Sequence, residues 1–396
     1  MNTLLDYYKG MQGLVIFRGI LNDPVMQKLM ELLRCCALNA DGQVNAYADF
    51  AAGLFAHATD FSTYLKTLIL EDENFYLHAC CASPRPDGCL QECLAHELAF
   101  LQKLSLLDGS TVRSTFDYAG YLPAWDCHRE DFAAAYAERI HTLPQKGYGI
   151  FAHYHMFTVK DGVLIPVKHP DRQTLTELPG YESERAKVIA NTEALLQNRP
   201  ANNVLLYGDA GTGKSSTVKA IANAYRHRGL RLIEVKKNQL YQLPDIMETI
   251  YANPLKFIVF IDDLSFSSND ADFSSLKAIL EGSVNGQSGN LAVYATSNRR
   301  HLIKESWDDR AGSDLHEADT RQELMSLSAR FGLTVTFLKP DKKLYLDIVH
   351  ALADQYGLDV PHDQLDIQAE AHAIRNGGRS PRAAKQFIEL TKSGVR

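Results

Sequence analysis

Eight consecutive residues constrain this chain more than any others: Gly208-Asp209-Ala210-Gly211-Thr212-Gly213-Lys214-Ser215. They fit the pattern G-x-x-x-x-G-K-[ST] in full. The apolar run before them, residues 203–207, reads as a buried strand, and residues 214–228 read as a helix. Gly208, Gly211 and Gly213 let the backbone turn its N–H groups inward onto phosphate oxygens. Lys214 can reach the outer phosphates of a nucleotide as a mobile point charge, and Ser215, followed by Ser216, offers a hydroxyl to Mg²⁺. The helix N-terminus adds a favourable field for the anion. A strand, a loop and a helix of this kind need a parallel sheet around them.

The chain supplies one. Helices over 182–197, 214–228, 243–252 and 272–281 alternate with strands over 203–207, 231–235, 257–261 and 291–296. A final strand, 333–337, follows a helix ending near Arg330. Strands and helices alternating through short loops imply a parallel sheet covered on both faces. After Pro340 the pattern is helical to the end, which predicts a helical lid. Upstream, 151–160 and 163–168 are rich in β-branched and aromatic residues around Asp161-Gly162, and so predict a hairpin. The expected organisation is a mostly helical accessory domain over 1–146, a hairpin and linker over 147–178, an α/β nucleotide-binding core over 179–338, and a helical lid over 339–396.

The run Phe257–Ile261 ends in Asp262-Asp263. A carboxylate at the C-terminal end of a buried parallel strand points into the ligand crevice. Asp262 is therefore the candidate for holding Mg²⁺, and Asp263 for orienting or deprotonating an attacking water. Asp is a methylene shorter than Glu, which limits the reach of Asp263. The next strand ends in Ser297-Asn298, whose amide can hydrogen-bond that water or the γ-phosphate.

A phosphate loop, then Asp262-Asp263, then Asn298, in consecutive βα units, resembles the AAA+ ATPases. The strings 261–265 (Ile-Asp-Asp-Leu-Ser), 276–282 (Leu-Lys-Ala-Ile-Leu-Glu-Gly) and 295–303 (Ala-Thr-Ser-Asn-Arg-Arg-His-Leu-Ile) are similar to the bacterial DUF815 group within them. The Asp-Asp pair also resembles the helicase-loader and transposition-helper ATPases. The resemblance implies ATP and Mg²⁺ as cofactors, hydrolysis, and a homo-oligomer. It implies that Pro179-Gly180-Tyr181 lies beside the adenine and that Asn298 is a sensor of the γ-phosphate. Arg330 would be an arginine finger, with Arg299, Arg300, Arg310 and Arg321 as rivals. Arg382 would be a second sensor, with Arg379 as its rival. The family mostly carries Asp-Glu where this chain has Asp262-Asp263.

The front part differs chemically. Residues 1–150 carry 11 Lys/Arg and 18 Asp/Glu, whereas residues 151–396 carry 30 of each, and the whole chain is −7. That balance argues against a protein that coats nucleic acid. All seven cysteines lie early. Cys80, Cys81, Cys89 and Cys93, with His78 and His96 nearby, read either as reduced core thiols or as a metal site. Lys236-Lys237 and Arg299-Arg300-His301 are basic clusters too short to diagnose a nucleic-acid surface. No apolar run is long enough to span a membrane. The first residues lack the basic and apolar regions of a signal peptide, so a cytoplasmic chain is expected. The readings left open are an ATPase acting on an unidentified protein, a nucleotide-binding switch with little turnover, and a nucleic-acid-linked loader.

Overall fold

The computed structural model describes residues 3–38, 41–82, 86–264, 276–277, 280, 289–298 and 330–394. It divides into two compact units, Met1–Leu143 and Pro144–Arg396. The expected helix over 272–281 falls largely outside the described residues, as do Arg299, Arg300, His301, Arg310 and Arg321 and most of the strings 276–282 and 295–303.

The first unit is helical: α1 (Thr3–Gln12), α2 (Pro24–Ala37), α3 (Gln43–Phe55), α4 (Phe61–Glu71), α5 (Phe75–Ala82), α6 (Gly88–Leu104), α7 (Gly109–Arg113) and α8 (Phe132–His141). Aspartates start many of these helices. Asp23, Asp60, Asp87, Asp108 and Asp131 each accept a backbone N–H from the first turn of α2, α4, α6, α7 and α8. Such a cap contributes about 1 kcal/mol. Buried Glu97 accepts the backbone N–H groups of Val15, Ile16 and Phe17 at 2.7, 3.1 and 3.0 Å. Much of the acidity of this part is thus local architecture. Tyr47, Phe50, Phe61 and Trp125 form its aromatic centre.

The second unit is built on a seven-stranded sheet, counted among the described residues. Its strands are β1 (Met156–Lys160), β2 (Val163–Pro166), β3 (Val204–Gly208), β4 (Leu230–Val235), β5 (Lys256–Ile261), β6 (Leu291–Ser297) and β7 (Leu333–Phe337). The order is β2-β1-β4-β5-β6-β3-β7, parallel throughout except for the β1–β2 pair. The helices are α9 (Glu182–Leu196), α10 (Lys214–Tyr225) and α11 (Leu243–Tyr251), then a lid of α12 (Lys342–Tyr356), α13 (His362–Arg375) and α14 (Pro381–Ser393).

Side chains alternate between two cores, as the pleat requires. Leu206, Ile258, Phe260 and Tyr294 face one core with Val188 of α9 and Ile221 of α10. Leu205, Val259 and Val293 face the other with Ile246 and Ile250 of α11. The first core runs on without interruption into the lid, through Tyr345, Ile348, Val349, Leu365 and Phe387.

The hairpin departs from expectation in two ways. Its first strand starts at Met156 rather than at residue 151, because Ile150–His153 forms a single helical turn. Phe151 packs there against Phe157 and Phe257, so its aromatic character serves the core and not a ladder. The hairpin is also no separate segment. Phe157 pairs with Ile233 of β4, and β1 continues the sheet.

Among the described residues no helix is long and apolar enough to cross a membrane.

Candidate functional site

The chain runs from β3 outward through β4 and β5, returns as β6 beside β3, and places β7 on the other flank of β3. Beyond the C-terminal ends of strands at such a reversal lies a natural ligand crevice. Here the crevice is a cleft of about 520 Å³. Residues Ala210–Ser216, Asp262, Asp263, Thr296, Asn298, Arg382 and Lys385 line it. Asp171, Gln173, Glu177, Leu178, Pro179, Arg185, Ile348 and Leu352 line it as well.

The phosphate loop needs its glycines. Gly208, Gly211 and Gly213 have φ of 136°, 77° and 92°. A Cβ on Gly208 would collide with the Phe337 carbonyl. Buried Lys214 opens α10, and its Nζ donates to Gly208 O at 2.9 Å, Asp209 O at 2.7 Å and Asn298 Oδ1 at 3.0 Å. Burial lowers its pKa, opposed by Asp209, Asp263 and Asp262. Ser215 Oγ donates to Asp262 Oδ1 at 2.6 Å. Asn298 Nδ2 donates to Asp263 Oδ1 at 2.8 Å, so one amide bridges the ammonium and the second carboxylate. Asp263 takes φ of 53°, a conformation disfavoured for a side chain with Cβ. Strain of about 1–3 kcal/mol persists where surroundings over-determine it, and here its N–H is fixed by Thr296 Oγ1 at 2.9 Å.

Sequence reasoning missed Thr296. It is buried, and its hydroxyl also donates to Asp262 Oδ1 at 2.5 Å. The signal was available, since Thr296 and Asn298 lie two apart at a strand end and share a face. Sequence reasoning also missed that the linker lines the cleft. Asn223 of α10 donates to Asp171 O at 2.8 Å and Gln173 O at 2.9 Å, and its Oδ1 meets His155 Nε2 at 2.9 Å.

The remaining candidates sort as follows. Gly180 and Tyr181 stand behind the cleft wall, and Leu178 and Pro179 form its surface. A Cβ on Gly180 would lie 2.8 Å from Ile348, and the buried Tyr181 donates its hydroxyl to Leu338 O at 2.6 Å. Gly208 and Asp209 sit at the root of the loop rather than in the cleft lining. Arg382 lines the cleft from the start of α14, with its backbone N–H on Gly211 O at 3.1 Å. Its rival Arg379 is paired with Glu370 through bonds of 2.8 and 2.6 Å. Arg330 is half-buried in the turn before β7 and does not line the cleft. Cys80 and Cys81 lie on α5 and Cys89 and Cys93 on α6. Cys89 is exposed, contrary to a buried-thiol reading, and Cys93 Sγ meets Glu97 Oε1 at 3.5 Å. Among the described residues no group of three His, Cys, Asp or Glu side chains gathers as metal ligands.

A phosphate loop, paired strand-end carboxylates and a strand-end amide, on a parallel sheet under a helical lid, define a P-loop protein of the AAA+ class. The chain belongs to the family described as "Protein of unknown function (DUF815)", which matches residues 151–394. It is 29% identical over 116 residues to the replication factor C large subunit of Staphylothermus marinus, a match covering 27% of this chain. The chain spans about a quarter of that relative's length, 26%. Among solved structures it is similar to the Thermotoga maritima RuvB Holliday junction branch migration motor, at 17% identity and a TM-score of 0.38, covering 56% of this chain and 66% of that one. A variant of the same RuvB gives 18% identity and a TM-score of 0.39, over 56% and 66% of the two chains.

Proposed function

We propose that this chain is a cytoplasmic, Mg²⁺-dependent ATPase that couples its nucleotide state to a conformational or assembly change in a partner protein. The observation that carries the reading is the 2.6 Å contact between Ser215 Oγ and Asp262 Oδ1. Two hard oxygen donors from different βα units converge at the phosphate loop, and that donor set suits Mg²⁺. Bound there, the ion would neutralise charge on the transferring phosphoryl group.

The chain's own residues take these roles. Backbone N–H groups over Ala210–Gly213 cradle the phosphates, with Gly208 and Asp209 setting the root of the loop and Ser216 in the first helical turn behind them. Lys214 meets the β- and γ-phosphates. Asp263 and Asn298 orient the attacking water, and Asp263 accepts its proton. Arg382 contacts the γ-phosphate from the lid. Gly180 and Tyr181 support the base-side wall that Leu178 and Pro179 present. Arg330 serves a neighbour's nucleotide within a homo-oligomer. The test is phosphate release by the purified protein with ATP and Mg²⁺. Lys214→Ala is expected to abolish it, and normal hydrolysis by that variant would reject the reading.

A specific observation favours a second reading, a nucleotide-binding switch with little turnover. The short Asp263 side chain is already engaged by Asn298 at 2.8 Å. Tight ATP binding without turnover at any protein concentration would decide for the switch.

A further inference from the structure

Asp209 runs against the charge logic of its surroundings. It puts a carboxylate in a loop whose task is to attract polyphosphate, where a like charge weakens binding. The carboxylate has another partner: Asp209 Oδ2 accepts the backbone N–H of Lys339 at 2.7 Å. Lys339 lies in the connection from β7 to the lid, between Phe337 and Asp341, the residue that caps α12. Lys339 Nζ in turn donates to Gly377 O, in the turn between α13 and α14, at 3.0 Å. A Cβ on Gly378 would stand 2.6 Å from that ammonium, so the neighbouring glycine leaves room for it.

The same residue grips the phosphate machinery. The Asp209 carbonyl accepts from Lys214 Nζ at 2.7 Å and from Thr212 Oγ1 at 2.8 Å. Its N–H donates to Phe337 O at 3.0 Å. One residue therefore touches the phosphate-binding lysine with its carbonyl, the end of β7 with its N–H and the lid connection with its carboxylate.

We propose that Asp209 is a positioning residue that transmits the state of the phosphate loop to the lid through Lys339 and Gly377. The inference rests on the nucleotide reading above. The links lie in series, so breaking either one breaks transmission.

The experiment measures steady-state ATP hydrolysis with Mg²⁺, together with hydrogen exchange across residues 336–393 with and without ATP. In the wild-type protein ATP is expected to change exchange in the lid, and an unchanged lid overturns the proposal. Asp209→Ala is expected to lower kcat about tenfold, the worth of one charge-assisted hydrogen bond. KM does not rise, because a repelling charge has gone. The lid's response to ATP is lost. Asp209→Asn keeps an oxygen acceptor for the Lys339 N–H and recovers most of that kcat and the lid response. Lys339→Ala keeps the hinge N–H, removes the Gly377 link and loses the lid response as well, and the double variant is no worse than either single one. Thermal melts accompany each variant. A variant that only melts earlier, with lid response and kcat retained, overturns the proposal, as does equal loss in Asp209→Asn and Asp209→Ala. Absence of ATP binding by the wild-type protein rejects the nucleotide reading and the transmission with it. Hydrolysis whose lid response survives Asp209→Ala rejects the transmission alone.

Discussion

Thr296 Oγ1 lies 2.5 Å from Asp262 Oδ1. The same oxygen accepts the backbone N–H of Asp263, so one hydroxyl orders both acidic residues at the end of β5. Thr296→Val keeps the shape, leaves that N–H unpartnered and takes a donor from the carboxylate. Removing such a supporting partner typically costs about 10–100-fold. The expected result is ATP turnover reduced at least tenfold, with Thr296→Ser close to the parent. Equal loss in the two variants, read by phosphate release, would show that packing and not the hydroxyl matters.

Gly208 carries the backbone requirement of the loop. Its φ of 136° and its approach to the Phe337 carbonyl leave no room for a side chain. Gly208→Ala should destabilise the unit by about 2–4 kcal/mol. Denaturant titration checks this, and a midpoint within error of the parent would contradict it.

Arg231, at the start of the interior strand β4, has no carboxylate partner among the described residues. Its buried guanidinium donates to the carbonyls of Phe151, Arg226, Leu230 and Lys146 at 2.8, 3.0, 2.9 and 3.1 Å. Burial pushes its pKa down to about 10. Arg231→Met strands several buried carbonyls, with an expected loss of about 3 kcal/mol. Arg231→Lys should recover only part of it, because an ammonium cannot reproduce the planar fork. Calorimetric melting of the three proteins ranks them.

His128 gives the first unit a pH signature. Its ring nitrogens meet Asp60 Oδ2 at 2.9 Å and Glu130 Oε1 at 3.0 Å, and these hydrogen bonds raise its pKa. Asp60, which burial alone would raise, is lowered by bonds from His128 and Thr63. Glu130 is lowered by Lys66 and then by His128. The histidine's contribution is complete below about pH 6.5 and fades as pH climbs through its raised value. The carboxylates contribute above about pH 4 and lose this on acidification. The melting deficit of His128→Gln should therefore be largest near pH 5–6, shrink towards pH 9 and weaken with salt. A deficit that does not vary over that range would refute it.

What the sequence made legible is local. The loop Gly208–Ser215 is contiguous, and each strand-end residue follows an apolar run that announces it. The β1–β4 pairing is different. Phe157 meets Ile233 across more than seventy residues, and nothing near Asp161-Gly162 encodes that partner. The linker's place on the cleft depends likewise on Asn223, an ordinary-looking amide within α10. The acidic front part misled for another reason. Net charge sums over residues with separate tasks, and it hid five aspartates that stand at helix starts. Their positions were readable one by one as caps. Gly180 and Tyr181 were placed by resemblance, and only the Tyr181 bond to Leu338 O shows that they support the cleft wall from behind.

The apolar core shared by the sheet and α12–α14 means that the lid is not a free flap. A protein cut after Pro340 would lose Tyr345, Ile348, Val349, Leu365 and Phe387 from that core, uncover the apolar surface they bury and should clump on expression. For the same reason the sheet and the lid should melt together, as one calorimetric peak, and nucleotide is expected to bring a small sliding of packed helices over an apolar seam.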